Sequence, residues 1–374
     1  MLRLPALALL VVLAGAGCGG DTGTGTPTPP ASAPSARATA ESSPTTPAPT
    51  TPAAATPRVI GTVARDLEVP WGIGFLPDGS ALVTERDRGR VLHVAGSQVV
   101  EVGRIDQTRA EGESGLLGLA VSPSYAEDHQ VFVYTSTDRD NRVLRMTFDG
   151  TRLGSPTAIL TGIPRGFIHD GGRLAFGPDG NLYVSTGETG QRDLAQDPRS
   201  TAGKILRITQ DGRPAPGNPD PGSPVWTLGH RNVQGLAFDG ADRLWASEFG
   251  QDTWDELNLV EKGDNYGWPA VEGKGGTPRF HDPQLVWRTS EASPSGLAFL
   301  DGHLWMASLR GERLWRIDVR GDRAVRPAAF FVGTYGRMRT VVVAPDGNLW
   351  VTTSNRDGRG DPASVDDRIL LVRP

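Results

Sequence analysis

His169 stands where a base could work. It lies just before Gly171 and Gly172 in the stretch FIHDGGRLAFGPDGNLYVSTGE. An imidazole at a loop-to-strand junction can take a proton from a substrate hydroxyl near neutral pH. The alternative is a histidine that only hydrogen-bonds its own loop. The glycine pair favours the first reading, because it lets a ligand or another backbone come close. A second cluster, GHRNVQGLAF, sets Arg231, Asn232 and Gln234 within four positions. A guanidinium fork beside two amides suits a planar ligand carrying carboxylates; the bland alternative is a polar loop that knits blades together. A third stretch, Ser247 to Pro269, is dense in oxygen donors: Glu248, Asp252, Asp255, Glu256 and Asp264. Hard cations such as calcium take about six to eight oxygens, backbone carbonyls included. No Cys or His cluster suggests zinc, and the EF-hand spacing is absent. A solvated acidic loop is the other reading. Finally, Arg310 and the pair Arg337 and Arg339 supply late cations. Residues two apart on an extended strand share a face, so this pair either binds an anion or salt-bridges neighbouring blades.

The elements that must position these groups recur. Six times a short apolar strand runs into a turn, usually Asp-Gly, and then into a second strand rich in Leu, Trp, Val and Tyr. The copies span Ile73 to Arg86, Leu119 to Ser136, Leu174 to Glu188, Leu236 to Gly250, Leu297 to Arg310 and Val341 to Ser354. Their spacing of roughly 45–60 residues is that of propeller blades. Asp-Gly between two strand-like runs is a hairpin signal, since the turn needs positive φ angles that glycine accepts. One hairpin cannot bury its apolar face alone, but several stacked around an axis can. The repeat predicts an all-β, six-bladed β-propeller over residues 58–374, with a ligand site on its axis.

The N-terminal part reads differently. Residues 1–18 have the form of a secretory signal: Arg3, an apolar run from Leu4 to Leu13, then Gly15, Ala16 and Gly17 before Cys18. The run is too short for a comfortable membrane span. Cys18 is the only cysteine, so an intrachain disulfide is excluded. Its setting resembles the lipobox of bacterial lipoproteins, which implies lipidation at Cys18. Residues 19–57, almost wholly Thr, Pro, Ala, Ser and Gly, predict a disordered, extended tether. The expected location is therefore extracytoplasmic, on a membrane only through the lipid anchor. A net charge of −5 without a basic cluster gives nucleic-acid binding no support.

In order along the chain, VPWGIGFLPDG, GESGLLGLAVSP, HDGGRLAFGPDG, AGKILRI, GHRNVQG, DELNLVEKGDNYGWP and YGRMR resemble the soluble glucose and sorbosone dehydrogenase family. The resemblance runs from about Val69 to the C-terminus. It implies a six-bladed propeller that uses pyrroloquinoline quinone (PQQ) and calcium to oxidise aldoses at the anomeric carbon to lactones, passing electrons to an external acceptor. It implies that His169 is the general base, and that Glu113, Arg231, Asn232, Gln234, Arg310, Arg337 and Arg339 contact the cofactor. It implies a calcium held by the carbonyls of Gly250 and Gln251, and a second one using Glu256 and Tyr266. Glu113 and Arg310 stand where the best-known glucose-oxidising members carry Gln and Lys; with the absence of long insertions, this is closer to the broad-specificity aldose dehydrogenases. Two other classes remain: a calcium-dependent propeller lactonase, whose metal sits on axial carboxylates and amides, and a non-catalytic propeller that binds sugar or protein.

Overall fold

Each repeat forms the two inner strands of a four-stranded antiparallel sheet in the computed structural model, which describes residues 56–374. The first blade runs outward from the axis through Pro70–Phe75, Ala81–Glu85, Arg90–Ala95 and Gln98–Arg104. The next four span 116–163, 174–228, 233–288 and 294–330. The sixth covers 338–373 and takes its outermost strand from the N-terminal side: Arg58–Ala64 pairs antiparallel with Ile369–Arg373. The innermost strands touch in cyclic order, the last against the first. The expected six-bladed propeller is the fold. The signal, the tether and Cys18 fall at residues 1–57 and, but for the last two positions, lie outside the described residues.

Local chemistry explains the repeat. In three hairpins the turn aspartate accepts an N–H two residues on: Asp78 from Ser80 at 2.9 Å, Asp179 from Asn181 at 3.0 Å and Asp346 from Asn348 at 3.0 Å. These short-range bonds fix the turn, and the following glycine takes the positive φ it requires. The second repeat has no Asp-Gly. There a one-turn helix, Tyr125–Asp128, fills the gap, and Asp128 accepts the Gln130 N–H at 2.8 Å.

The glycine leading the inner strand matters more than the one in the turn. A Cβ at Gly118 would lie 2.1 Å from the Gly172 carbonyl oxygen, and one at Gly235 would lie 2.3 Å from that of Ser295. Only a residue without a side chain lets neighbouring inner strands approach this closely. Apolar side chains pack between successive blades; Trp245, Leu257 and Trp287 of the fourth meet Leu304, Met306 and Trp315 of the fifth. Below the recess described next, the axis is plugged by Arg173. Its guanidinium stacks 4.0 Å from the Trp71 ring and donates to the Gln234 carbonyl at 2.8 Å and to Thr340 Oγ1 at 3.2 Å.

Candidate active site at one end of the propeller axis

The loops entering the inner strands, and those leaving the second strands, lie at the same end of the ring. There Arg86, Gly112, Glu113, Gln234, Phe249, Leu309, Arg337, Arg339, Asp357 and Arg359 line a recess holding about 330 Å³, open mouth included. Four guanidinium groups face two carboxylates in that wall, so it carries a surplus of positive charge suited to a polyanion.

The late arginine pair faces this recess and is almost fully buried. Asp357 holds both: it accepts from Arg337 Nε and Nη2 at 3.0 and 2.9 Å and from Arg339 Nη2 at 3.4 Å. Ser354 and Gln234 take two further N–H groups of Arg339, at 3.0 and 3.3 Å. Burial lowers the Arg339 pKa to about 10; Asp357 opposes the shift, and the neighbouring charges of Arg86 and Arg337 add to it. The pair lines the axis, and its ion-pair partner Asp357 belongs to the same blade, so it does not bridge neighbouring blades through that contact.

His169 flanks the recess. Its φ is +59°, and its backbone is pressed so tightly on Gly187 that a Cβ there would lie 1.9 Å from the His169 carbonyl oxygen. The glycines after it serve the same approach, since a Cβ at Gly171 would come within 2.5 Å of Thr186 Cα. The His169 N–H donates to Glu113 Oε2 at 2.9 Å. The ring places Nδ1 2.5 Å from Glu188 Oε1. A carboxylate there fixes the tautomer with the proton on Nδ1, which leaves Nε2 as a basic lone pair. No described residue bonds Nε2. Next in sequence, Asp170 accepts from Asn141 Nδ2 at 2.8 Å, and burial pushes its carboxyl up to about 7.

Glu113 lines the recess, but its oxygens are committed. Oε2 takes the His169 N–H and, at 3.4 Å, Asn232 Nδ2; Oε1 takes Arg359 Nη1 at 3.1 Å. Burial would raise its pKa, yet the hydrogen bond from the His169 N–H, with the charge and hydrogen bond of Arg359, holds it below the usual carboxylate range. Asn232 is fully buried and accepts the Gly171 N–H at 3.1 Å, so it knits the third and fourth blades. Gln234 lines the wall and steadies Arg339. Arg231 lies 5.4 Å above the Trp268 ring and donates to the Phe249 carbonyl at 3.2 Å; its Nε is buried without a partner. Glu188 Oε2 and Asp170 Oδ2 are likewise buried without a partner.

Arg310 departs from expectation. It is exposed on the turn beyond Leu309, is not part of the recess wall, and forms no ion pair with a described residue. The tight turn after Ser308 carries its long side chain into solvent. Tyr266 departs as well. Its hydroxyl donates to the Leu259 carbonyl at 2.8 Å and accepts the Glu261 N–H at 2.9 Å, so it is spent on its own strand end. Glu256 accepts from Gly273 N–H at 2.7 Å and Asn258 Nδ2 at 3.1 Å; burial and the facing Glu248 raise its pKa. Among the described residues no three His, Cys, Asp or Glu side chains gather to hold a metal, so the Glu256 side chain and the Tyr266 hydroxyl do not by themselves form a second cation site.

The carbonyls of Gly250 and Gln251 do fit a cation. The next two N–H groups in the loop, of Gln251 and Asp252, both point at Glu272 Oε1, at 2.8 and 3.0 Å. In a trans peptide the carbonyl points opposite the N–H, so both oxygens face away from Glu272, and neither takes a hydrogen bond from a described residue.

Glu188, Asp357, Glu272 and Arg173 were not among the expected site residues. Glu188 had a faint signal: it ends the third repeat, as Glu248 nearly ends the fourth.

The sequence family described as glucose/sorbosone dehydrogenase matches residues 67–371. The chain is 54% identical to the PQQ-bound form of aldose sugar dehydrogenase from Streptomyces coelicolor, with a TM-score of 0.84 over 85% of this chain and 98% of that one. It is 28% identical to aldose sugar dehydrogenase YliI of Escherichia coli over 78% of this chain and 89% of the relative. Against quinoprotein glucose dehydrogenase B of Acinetobacter calcoaceticus identity is 34%, over 56% and 52% of the two chains.

Proposed function

As the chain belongs to the glucose/sorbosone dehydrogenase family, we propose that it is a PQQ- and calcium-dependent aldose dehydrogenase, oxidising the anomeric carbon of a sugar to a lactone and yielding electrons to an external acceptor. The observation that carries this reading is a histidine braced by a glutamate beside a recess with surplus positive charge.

The residues fit such a cofactor. Arg337 and Arg339 are held in place by Asp357 and face the recess. The buried, unpartnered Nε of Arg231 offers one more donor to a carboxylate. The Gly250 and Gln251 carbonyls would hold the calcium ion. When bound, the quinone supplies the two-electron acceptor and the cation polarises its carbonyl. His169 Nε2 takes the proton from the anomeric hydroxyl. Glu188 holds the ring and stabilises the imidazolium that forms. Glu113 fixes the backbone of His169, so the ring sits on a braced loop.

The lactonase reading needs axial carboxylates free to hold a metal, whereas Glu113 and Asp357 in the recess wall are bonded to His169, Asn232 and arginines, and Arg173 fills the axis beneath. A dye-reduction assay with purified apo-protein separates the two. Aldose-dependent reduction should require both PQQ and calcium, without lactone hydrolysis. Hydrolysis of a lactone with no dye reduction would reverse the assignment.

A further inference from the structure

The loop between the second and third strands of the fourth blade, Leu244–Glu248 and Trp254–Val260, is organised around a single oxygen. Glu272 Oε1 accepts the N–H groups of Gln251, Asp252, Thr253 and Trp254, at 2.8, 3.0, 2.9 and 3.0 Å. Four converging N–H groups form a nest for an anion, and here the anion is a side chain of the same blade. Asp255 pins the loop from the other side. Its Oδ1 accepts the Gly250 N–H at 2.9 Å, and its Oδ2 accepts the Ser293 N–H at 2.6 Å from the approach to the fifth blade. Gly250 has no room for any other residue, since a Cβ would lie 1.7 Å from the Trp254 carbonyl oxygen.

We infer that Glu272 is a positioning residue for the cation: by gathering the N–H side of the loop, it aims the Gly250 and Gln251 carbonyls at the ion. This rests on the reading above that those carbonyls bind calcium. Without the carboxylate, four N–H groups, three of them half-buried and that of Asp252 exposed, lose their partner, and the peptide planes are free to rotate. The carbonyls then lose the fixed outward direction that the Glu272 contacts give them, and calcium must reorder them as it binds. Supporting partners of this kind commonly set metal affinity by about 10–100-fold.

The test compares wild type, E272A and E272Q. Amide hydrogen exchange on the apo-protein should show faster exchange at residues 251–254 in E272A, with the remaining strands unchanged. Calcium titration of the PQQ-loaded protein should give a dissociation constant raised about 10–100-fold in E272A. E272Q keeps an acceptor oxygen but not its charge, so its constant should fall between wild type and E272A; being nearly isosteric, it carries the test if alanine fails to fold. Saturating calcium should restore kcat in both variants, which a general loss of folding would not allow. Unchanged calcium affinity in E272Q and E272A, or unchanged exchange at 251–254 in E272A, overturns the inference. A wild-type protein that binds no calcium contradicts the metal reading itself and takes the inference with it.

Discussion

His169 and His230 each lean on a glutamate that closes the following repeat, Glu188 at 2.5 Å and Glu248 at 2.8 Å. Their second nitrogens differ. His230 is fully buried, and its Nε2 lies 2.9 Å from Thr227 Oγ1, so both ring nitrogens serve the structure. His169 Nε2 has no hydrogen-bond partner among the described residues, which leaves it open for the proton transfer proposed above. Replacing His169 by Ala should therefore lower kcat by about 10²–10⁴-fold while PQQ still binds, as expected for loss of a general base; stopped-flow turnover against cofactor titration checks it. Glu188→Gln keeps the side chain's shape but no longer fixes the tautomer, so it should lose part of that about 10²–10⁴-fold factor in kcat with little change in KM. Asp170 makes a pH prediction. Its folded pKa, about 7, lies above the unfolded value of 3.8 because of burial. The folded state therefore holds its proton through that interval and the unfolded state does not. Its contribution to stability is full below pH 3.8, declines as pH rises towards 7, and is lost above. Denaturant midpoints from pH 4 to 8 should fall more steeply in wild type than in Asp170→Asn; parallel profiles would contradict the assignment.

At the scale of strands and turns, much was legible in the chain. Asp-Gly turns, apolar pairs of strands and their spacing are local features, and a local signal survives without knowledge of the partner. The inner-strand glycines depend on a neighbour: Gly235 has to be small because Ser247 Oγ and the Ser295 carbonyl oxygen would sit 2.2 and 2.3 Å from its Cβ. Gly235→Ala forces the fourth and fifth blades apart, and overpacking of this kind costs about 1–3 kcal/mol. A lowered denaturation midpoint checks this, and an unchanged one would refute the account of the close approach. The same distinction explains the site. His169 and the arginine pair carry their chemistry in residue type and spacing. Glu188, Asp357 and Glu272 act only through a partner 19, 18 to 20, or 18 to 21 positions away, and nothing in an isolated carboxylate says which loop it will hold. For Arg310 the converse holds: its type was legible, but its exposure on the turn beside the recess residue Leu309 is decided by the fold.

As a whole, the molecule makes the ring rigid and places the chemistry where the blades converge. The closing strand Arg58–Ala64 joins the two ends of the folded chain in one sheet, and Arg173 fills the axis beneath the recess. The walls then hold cationic groups in place through burial and the Asp357 ion pairs, an arrangement whose surplus positive charge suits a polyanion. The most direct measurement of the central claim is an absorbance titration of purified apo-protein with PQQ and calcium, followed by an aldose. A saturable quinone spectrum that bleaches on adding the sugar, and recovers with an electron acceptor, is the predicted result. Saturable binding with no bleaching by any aldose, or no binding at all, would contradict it.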